Sequence, residues 1–210
     1  MSKFGQSSFL RSSSVILGGM AVTESMKLDP GFHAPDFQLP DVVTGKPITL
    51  ATFAGNKGLL VMFICRHCPY VMHVKHELAR LGKDYADASL GIVAISPNDA
   101  SAYPQDAPES LREMAEELGF NFPYCHDESQ ETAMAYKAAC TPDFFLFDES
   151  RKLVYHGQLD DSRPGNGIPV TGGHLRAAIK AVLSGRPVST ARKPSVGCSI
   201  KWKPDNQPPW

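Results

Sequence analysis

An α/β fold, with a mixed central sheet and helices on both of its faces, is what the order of hydrophobic patterns predicts. Three observations carry it. Leu59–Ile64 is an unbroken apolar run without charge, the length and composition of a strand buried on both faces. Directly after it the period changes: Val71, Val74, Leu78 and Leu81 recur at helical spacing, with Lys75, Glu77 and Arg80 between them. Leu90–Ser96 then repeats the buried-strand pattern, and amphipathic and extended stretches alternate from there to Leu183.

Taken in order, Met1–Thr23 is Ser-rich, carries Lys3 and Arg11 and contains no acid. Its apolar centre is short and holds Gly18-Gly19, so residues 1–29 are expected to be disordered or an over-called start on a cytoplasmic protein. A targeting segment for export or an organelle is the alternative. Folded structure is expected to begin at Pro30. Residues 33–41 and 45–50 are two short extended pieces around a turn, with Phe37 and Leu39 on one side. Asn98–Pro108 is a polar loop. Pro108–Leu118 is a helix with Leu111, Met114 and Leu118 on one face, a proline at its start and Gly119 as its stop. Phe122–Cys125 is a short strand and Ser129–Lys137 a helix. Cys140–Asp148 is a strand that opens with proline, and Leu153–Tyr155 is its neighbour across the turn Glu149-Ser150-Arg151. His174–Leu183 is the last helix, with Leu175, Ile179 and Val182 inward. The domain is therefore 30–183. The tail, 184–210, is expected to lie extended over it, anchored by Ile200 and Trp202.

The totals narrow the function. A length of 210 residues suits one domain with some elaboration. A net charge of −1 offers nothing to a polyanion, so no nucleic-acid partner is expected. No apolar run reaches the length of a membrane span, so no membrane partner is expected either. Five cysteines are an odd count and too few for a disulfide scaffold, which points to reactive or buried thiols.

Two of those thiols stand where the buried strand hands over to the helix, in Cys65-Arg66-His67-Cys68. Such a junction points backbone N–H groups and the positive end of the helix dipole at the sulfurs. Cys65, preceding the helix, is expected to be the exposed nucleophile with a lowered pKa. Cys68 is expected to resolve the mixed disulfide that forms, and Arg66 and His67 are expected to favour the thiolate by their positive charge. The alternative is a metal site of Cys65, Cys68, His73 and His76. Helix geometry opposes it, because His76 lies about 12 Å along the axis from Cys68 at roughly 1.5 Å per residue.

Strand, Cys-x-x-Cys and helix resemble the active-site unit of the thioredoxin superfamily. The run Val61-Met-Phe-Ile-Cys-Arg-His-Cys-Pro-Tyr-Val71 is most similar to its peroxiredoxin-like subgroup, the redoxin or alkyl hydroperoxide reductase–thiol-specific antioxidant type. Ala34-Pro35-Asp36-Phe37-Gln38-Leu39-Pro40-Asp41 resembles the opening hairpin of peroxiredoxins, and Gly197-Cys198-Ser199-Ile200-Lys201-Trp202-Lys203 resembles the end of that subgroup. The resemblance covers about residues 30–183. It implies a thioredoxin fold and a thiol–disulfide oxidoreductase without an organic cofactor. The implied partners are a protein or small-molecule disulfide and a thioredoxin- or glutathione-type reductant. It also implies a cis Thr141-Pro142 bond facing the two thiols, with the backbone before it pairing with substrate. His67 before the second cysteine occurs in strongly oxidising relatives, so the couple is expected to be more oxidising than thioredoxin's roughly −270 mV. Cys140 and Cys198 are candidate accessory thiols, whereas Cys125 is read as a small buried hydrophobe.

Two departures stand out. Peroxiredoxins carry Pro-x-x-x-Thr/Ser-x-x-Cys, but the matching positions are Gly58 and Met62 before Cys65, or Val61 and Cys65 before Cys68. Thioredoxin's buried Asp corresponds to Leu59, so either another base serves Cys68 or exchange is slow. A peroxidase on the same cysteines, passing through a sulfenic acid, is the second enzyme reading. A metal-binding or structural module is the non-enzyme one.

Overall fold

The computed structural model describes residues 15–17, 20–29 and 31–210. The strands are β1 (Val15–Leu17), β2 (Met20–Glu24), β3 (Gln38–Pro40), β4 (Pro47–Thr49), β5 (Gly58–Phe63), β6 (Leu90–Ser96), β7 (Tyr124–His126), β8 (Cys140–Thr141), β9 (Asp143–Asp148), β10 (Leu153–Gly157) and β11 (Val196–Ser199). The helices are α1 (Pro69–Asp84), α2 (Pro108–Leu118), α3 (Glu131–Tyr136) and α4 (Gly173–Leu183). No described helix is long and apolar enough to cross a membrane.

β5 occupies the middle of a five-stranded mixed sheet of order β10-β9-β5-β6-β7. It runs parallel to β6 and antiparallel to β9. Every residue of β5 is buried, as an uncharged run at the centre of a covered sheet must be. Its side chains alternate between two cores. Leu60 and Met62 join Val71, Val74 and Leu78 of α1, Leu111 and Met114 of α2, and Leu175 and Ile179 of α4. Leu59, Val61 and Phe63 join Tyr136 of α3 and Leu39 and Ile48 of the β3–β4 hairpin. There the Tyr136 ring meets Phe63 and Phe145 edge-on, with centroids 5.5 and 5.7 Å apart. Gly119, at φ 63°, closes α2 in the left-handed conformation that the sequence assigned to it.

Three features differ from expectation. Glu77 sits among the polar positions of α1, yet its side chain is buried between Arg176 of α4, at 2.6 Å, and Arg80. Helix packing places that stripe against α4 rather than water. The strand expected over 140–148 is divided at Pro142: β9 belongs to the central sheet, but β8 belongs to a second sheet of order β1-β2-β11-β8. That second sheet also overturns the expectation of a disordered start for residues 15–17 and 20–24, because β2 hydrogen-bonds to β11 with Thr23 opposite Gly197 and Val22 opposite Cys198. Sequence periodicity carries no trace of a pairing between the two ends of a chain. The parts of the 1–29 expectation that fall on residues 1–14 and 18–19 lie outside the described residues.

The tail thus contributes a strand held on both edges. On its other side β11 pairs with β8, Cys198 opposite Thr141 and Ser199 opposite Cys140. Beyond it Ile200 is buried against the α3-side core, with Trp202 packed on the same cluster.

Candidate active site

Ile64 extends β5 by one more bond, its N–H donating to the Ile95 carbonyl, and Cys65 follows at the carboxyl end of the strand. Cys68 directly precedes α1, whose first residue, Pro69, needs no N–H partner. Both sulfurs meet the same residue. Cys65 Sγ lies 3.3 Å from Thr141 Oγ1, and Cys68 Sγ lies 3.1 Å from the Thr141 carbonyl oxygen. The Thr141–Pro142 peptide bond is cis. A third sulfur closes the group: Cys198 Sγ is 2.6 Å from Cys68 Sγ.

Cys65 corrects the expectation of an exposed nucleophile. Its relative exposure is 0%, as is that of Cys68, and Cys198 stands at 2%. The expected lowering of its pKa is reversed as well. Burial pushes the Cys65 thiol well up; the Cys68 sulfur and the Asp106 carboxylate add to this, and the Thr141 hydroxyl opposes it. The lowering falls on Cys68. Burial again acts upward there, but the Cys198 and Cys65 thiols and the Val71 and Cys198 N–H groups all favour its anion and outweigh it. Cys198 in turn is held protonated, first by its contact with Cys68 and then by burial. In this arrangement the surroundings favour an anion on Cys68 and disfavour one on Cys65 or Cys198.

Burial is the main cause at Cys65, and Asp106, which the sequence reading missed, adds to it. Asp106 ends a single 3₁₀ turn, Pro104–Asp106, inside the loop read only as polar, and it is fully buried. Its Oδ1 accepts the backbone N–H groups of Arg66, at 2.8 Å, and His67, at 3.1 Å. Its Oδ2 bonds the His67 ring at Nδ1 and accepts Asn98 Nδ2 at 2.8 Å. Burial alone would raise this carboxyl's pKa; the His67 and Asn98 bonds outweigh burial and hold it below its ordinary value. The N–H groups expected to favour a Cys65 thiolate are therefore spent on a carboxylate, whose negative charge disfavours that thiolate. Arg66 is turned away from the sulfurs, 2.6 Å from Glu113 and 2.8 Å from the Ser110 carbonyl. His67 stacks on Tyr103 with centroids 5.2 Å apart. The one sequence signal for Asp106 is its place between Pro104 and Pro108, which fix a turn and a helix start on either side of it.

The remaining candidates separate. Cys140 is buried with its sulfur toward the Pro142 carbonyl at 3.8 Å, and burial pushes its pKa well up. Cys125 is buried on β7 and pushed up to about 12 by burial. His73 bonds Ser162 Oγ at 2.7 Å and His76 is exposed, so the metal set considered from the sequence is not assembled. Among the described residues a different trio converges, Cys65, His67 and Asp106, with one ligand atom each within 4.8 Å of the others. Asp106 already accepts two hydrogen bonds on one oxygen and bonds two nitrogens with the other, and Cys65 keeps its proton. That chemistry fits a hydrogen-bond network better than a cation.

A pair of thiols at the carboxyl end of a central strand, facing a cis-proline across the start of the next helix, defines a thioredoxin-fold thiol protein. A candidate thiol:disulfide interchange protein DsbE from Chlorobium tepidum has the same fold, with a TM-score of 0.58 at 20% identity over 75% of this chain and 99% of that one. The chain belongs to the AhpC/TSA family, which matches residues 30–156. An uncharacterized conserved protein from Geobacillus kaustophilus is 55% identical, with a TM-score of 0.86 over 89% of this chain and 98% of its own. A candidate peroxiredoxin from Mycobacterium tuberculosis (strain H37Rv) is 28% identical over 117 residues, 56% of this chain and 69% of that protein.

Proposed function

We propose that this protein is a thiol–disulfide oxidoreductase in which Cys65 and Cys68 cycle between dithiol and disulfide. The observation that carries the reading is the placement of both sulfurs on one residue of the facing strand, at 3.3 and 3.1 Å from Thr141. Cys68 supplies the thiolate. It attacks one sulfur of a substrate disulfide, that S–S bond breaks, and the leaving sulfur departs with the electron pair and takes a proton. Cys65 then gives up its proton and displaces the second substrate sulfur from Cys68, closing the Cys65–Cys68 bond. This order reverses the roles expected from sequence, because the charge lies on Cys68. Reduction of a model disulfide by a dithiol, catalysed by the pure protein, tests the reading. Cys68→Ser is expected to abolish turnover, and turnover that survives it refutes the assignment.

A specific observation also favours a hydroperoxide as oxidant. Both sulfurs are wholly shielded from solvent. A small oxidant enters such a site more readily than a polypeptide. In that chemistry the Cys68 thiolate attacks the peroxide, the O–O bond breaks with release of an alcohol or water, and Cys65 displaces water from the resulting sulfenic acid. The name of the mycobacterial relative supports this direction. Peroxide consumption and disulfide reduction, measured side by side with the same electron donor, separate the two oxidants.

A further inference from the structure

Cys198 is in direct sulfur–sulfur contact with Cys68, yet the cycle above does not use it. Its position is built rather than incidental. β11 is hydrogen-bonded on both edges, and its register sets Cys198 directly opposite Thr141, the residue on which Cys65 and Cys68 converge. Gly197 makes the approach feasible: a Cβ there would lie 2.0 Å from the Thr141 carbonyl oxygen, so any side chain at that position forces the strand away from the site. The continuation of the strand is wired to the loop that carries Asp106, which in turn holds the Arg66 and His67 amides. Lys201 N–H donates to Asn98 Oδ1 at 2.8 Å, and Asn98 Nδ2 donates to Asp106. The Lys201 ammonium lies over the Tyr103 ring that stacks on His67. Gln130 takes the next turns of the tail, bonding the Lys201 carbonyl and the Lys203 N–H.

We infer that Cys198 is a third redox residue, delivered by the tail strand, and that the oxidised protein comes to rest as a Cys68–Cys198 disulfide rather than a Cys65–Cys68 one. This deepens the proposed function and rests on its first oxidation of Cys68 by a disulfide or hydroperoxide. From the Cys65–Cys68 disulfide, Cys198 loses its proton and attacks Cys68 Sγ. The Cys68–Cys198 bond forms and the Cys65–Cys68 bond breaks. The electron pair leaves on Cys65, which takes up a proton, so the exchange is neither a net oxidation nor a net reduction. The sulfurs need to move little, since 2.6 Å is only slightly longer than the roughly 2.05 Å of an S–S bond. Two features drive the exchange forward. Cys65 keeps its proton strongly beside Asp106, which favours it as the thiol of the product. The Cys68–Cys198 bond then fastens β11 across the mouth of the site. Oxidation would thus lock β11 in the place it already holds, and reduction of the tail bond would remove that lock.

The chain permits a direct test. Cleavage after lysine and arginine puts Cys65, Cys68 and Cys198 in three different peptides, 58–66, 67–75 and 193–201, because Arg66 divides the first two. The full-length reduced protein is treated with one equivalent of hydrogen peroxide, and separately with oxidised glutathione, then blocked with an alkylating agent and mapped without reduction. The expected product is 67–75 linked to 193–201, with 58–66 alkylated. Cys198→Ser is expected to shift the link to 58–66 with 67–75. Gly197→Val, which displaces the strand and leaves every cysteine in place, is expected to make the same shift. A wild-type map holding only the 58–66 to 67–75 link, with 193–201 fully alkylated, overturns the inference and leaves the proposed function standing. A map with no link to 67–75 under either oxidant overturns both.

Discussion

The two ends of the Cys65–Cys68 loop belong to one short motif but to different electrostatic surroundings. At the Cys65 end, a buried carboxylate accepts both backbone N–H groups of Arg66 and His67 and holds the His67 ring. At the Cys68 end, two thiols and two backbone N–H groups favour the same sulfur, and the tail brings one of those thiols. The junction of strand and helix is common to both, so the dipole does not distinguish them. What distinguishes them is tertiary: an acid contributed from a loop some forty residues on, and a strand contributed from the far end of the chain. Thiol acidity at such a junction is set by what the fold brings to it, more than by the local direction of the helix.

The comparison breaks most severely when its charged end is removed. Cys68→Ser is expected to lower dithiol-dependent turnover by about 10³-fold or more, since no other sulfur can carry the charge. Cys65→Ser should fall less far, because Cys198 remains beside Cys68 and can still complete a disulfide; steady-state rates of the two variants measured together check the order. Equal losses would mean that the two ends are equivalent after all.

Asp106→Asn strips the Cys65 end of its negative charge. The Cys65 thiol is then expected to ionise at lower pH than in the wild type, visible as an earlier rise of thiolate absorbance in the Cys198→Ser background. Folding stability is expected to fall by about 1–3 kcal/mol, as the His67 and Asn98 partners lose their charged acceptor. Gly197→Val acts on the other end. Forcing β11 off Thr141 should cost about 1–3 kcal/mol in denaturant unfolding and make Cys68 alkylate faster, with little change at Cys125 on β7.

The smallest expected effect is in the pH dependence of stability, and the two ends differ in sign. Asp106 has a folded pKa below its unfolded value, so its contribution is complete above about pH 4 and is lost as pH falls through the lower folded value. Cys65 has a folded pKa above its unfolded value, so its contribution is complete below about pH 8.5 and is lost as pH rises toward the folded value. Urea midpoints across the acid and alkaline limbs should therefore show a smaller acid difference in Asp106→Asn and a smaller alkaline one in Cys65→Ser.

Much of this architecture is readable from local pattern. The uncharged run over β5, the helical spacing of Val71, Val74 and Leu78, and Gly119 after α2 each encode their element over a few residues. The position of Cys65 and Cys68 follows from the first two. The residues that decide their chemistry do not. Asp106 lies in a loop without periodicity, and only packing carries it to the Arg66 amide. The pairing of Val22 with Cys198 joins strands that no local window contains. Burial of Cys65 left no trace in the local pattern, since it is set by tertiary packing.

The most direct test is a pH profile of alkylation in the reduced, full-length protein, resolved by the three peptides 58–66, 67–75 and 193–201. The account predicts that the rate at Cys68 has reached its plateau by neutral pH, while the rates at Cys65 and Cys198 still climb above about pH 8.5. A Cys65 rate that levels off first, with Cys68 climbing behind it, would contradict the assignment of the charge and restore the order that the sequence motif alone suggests.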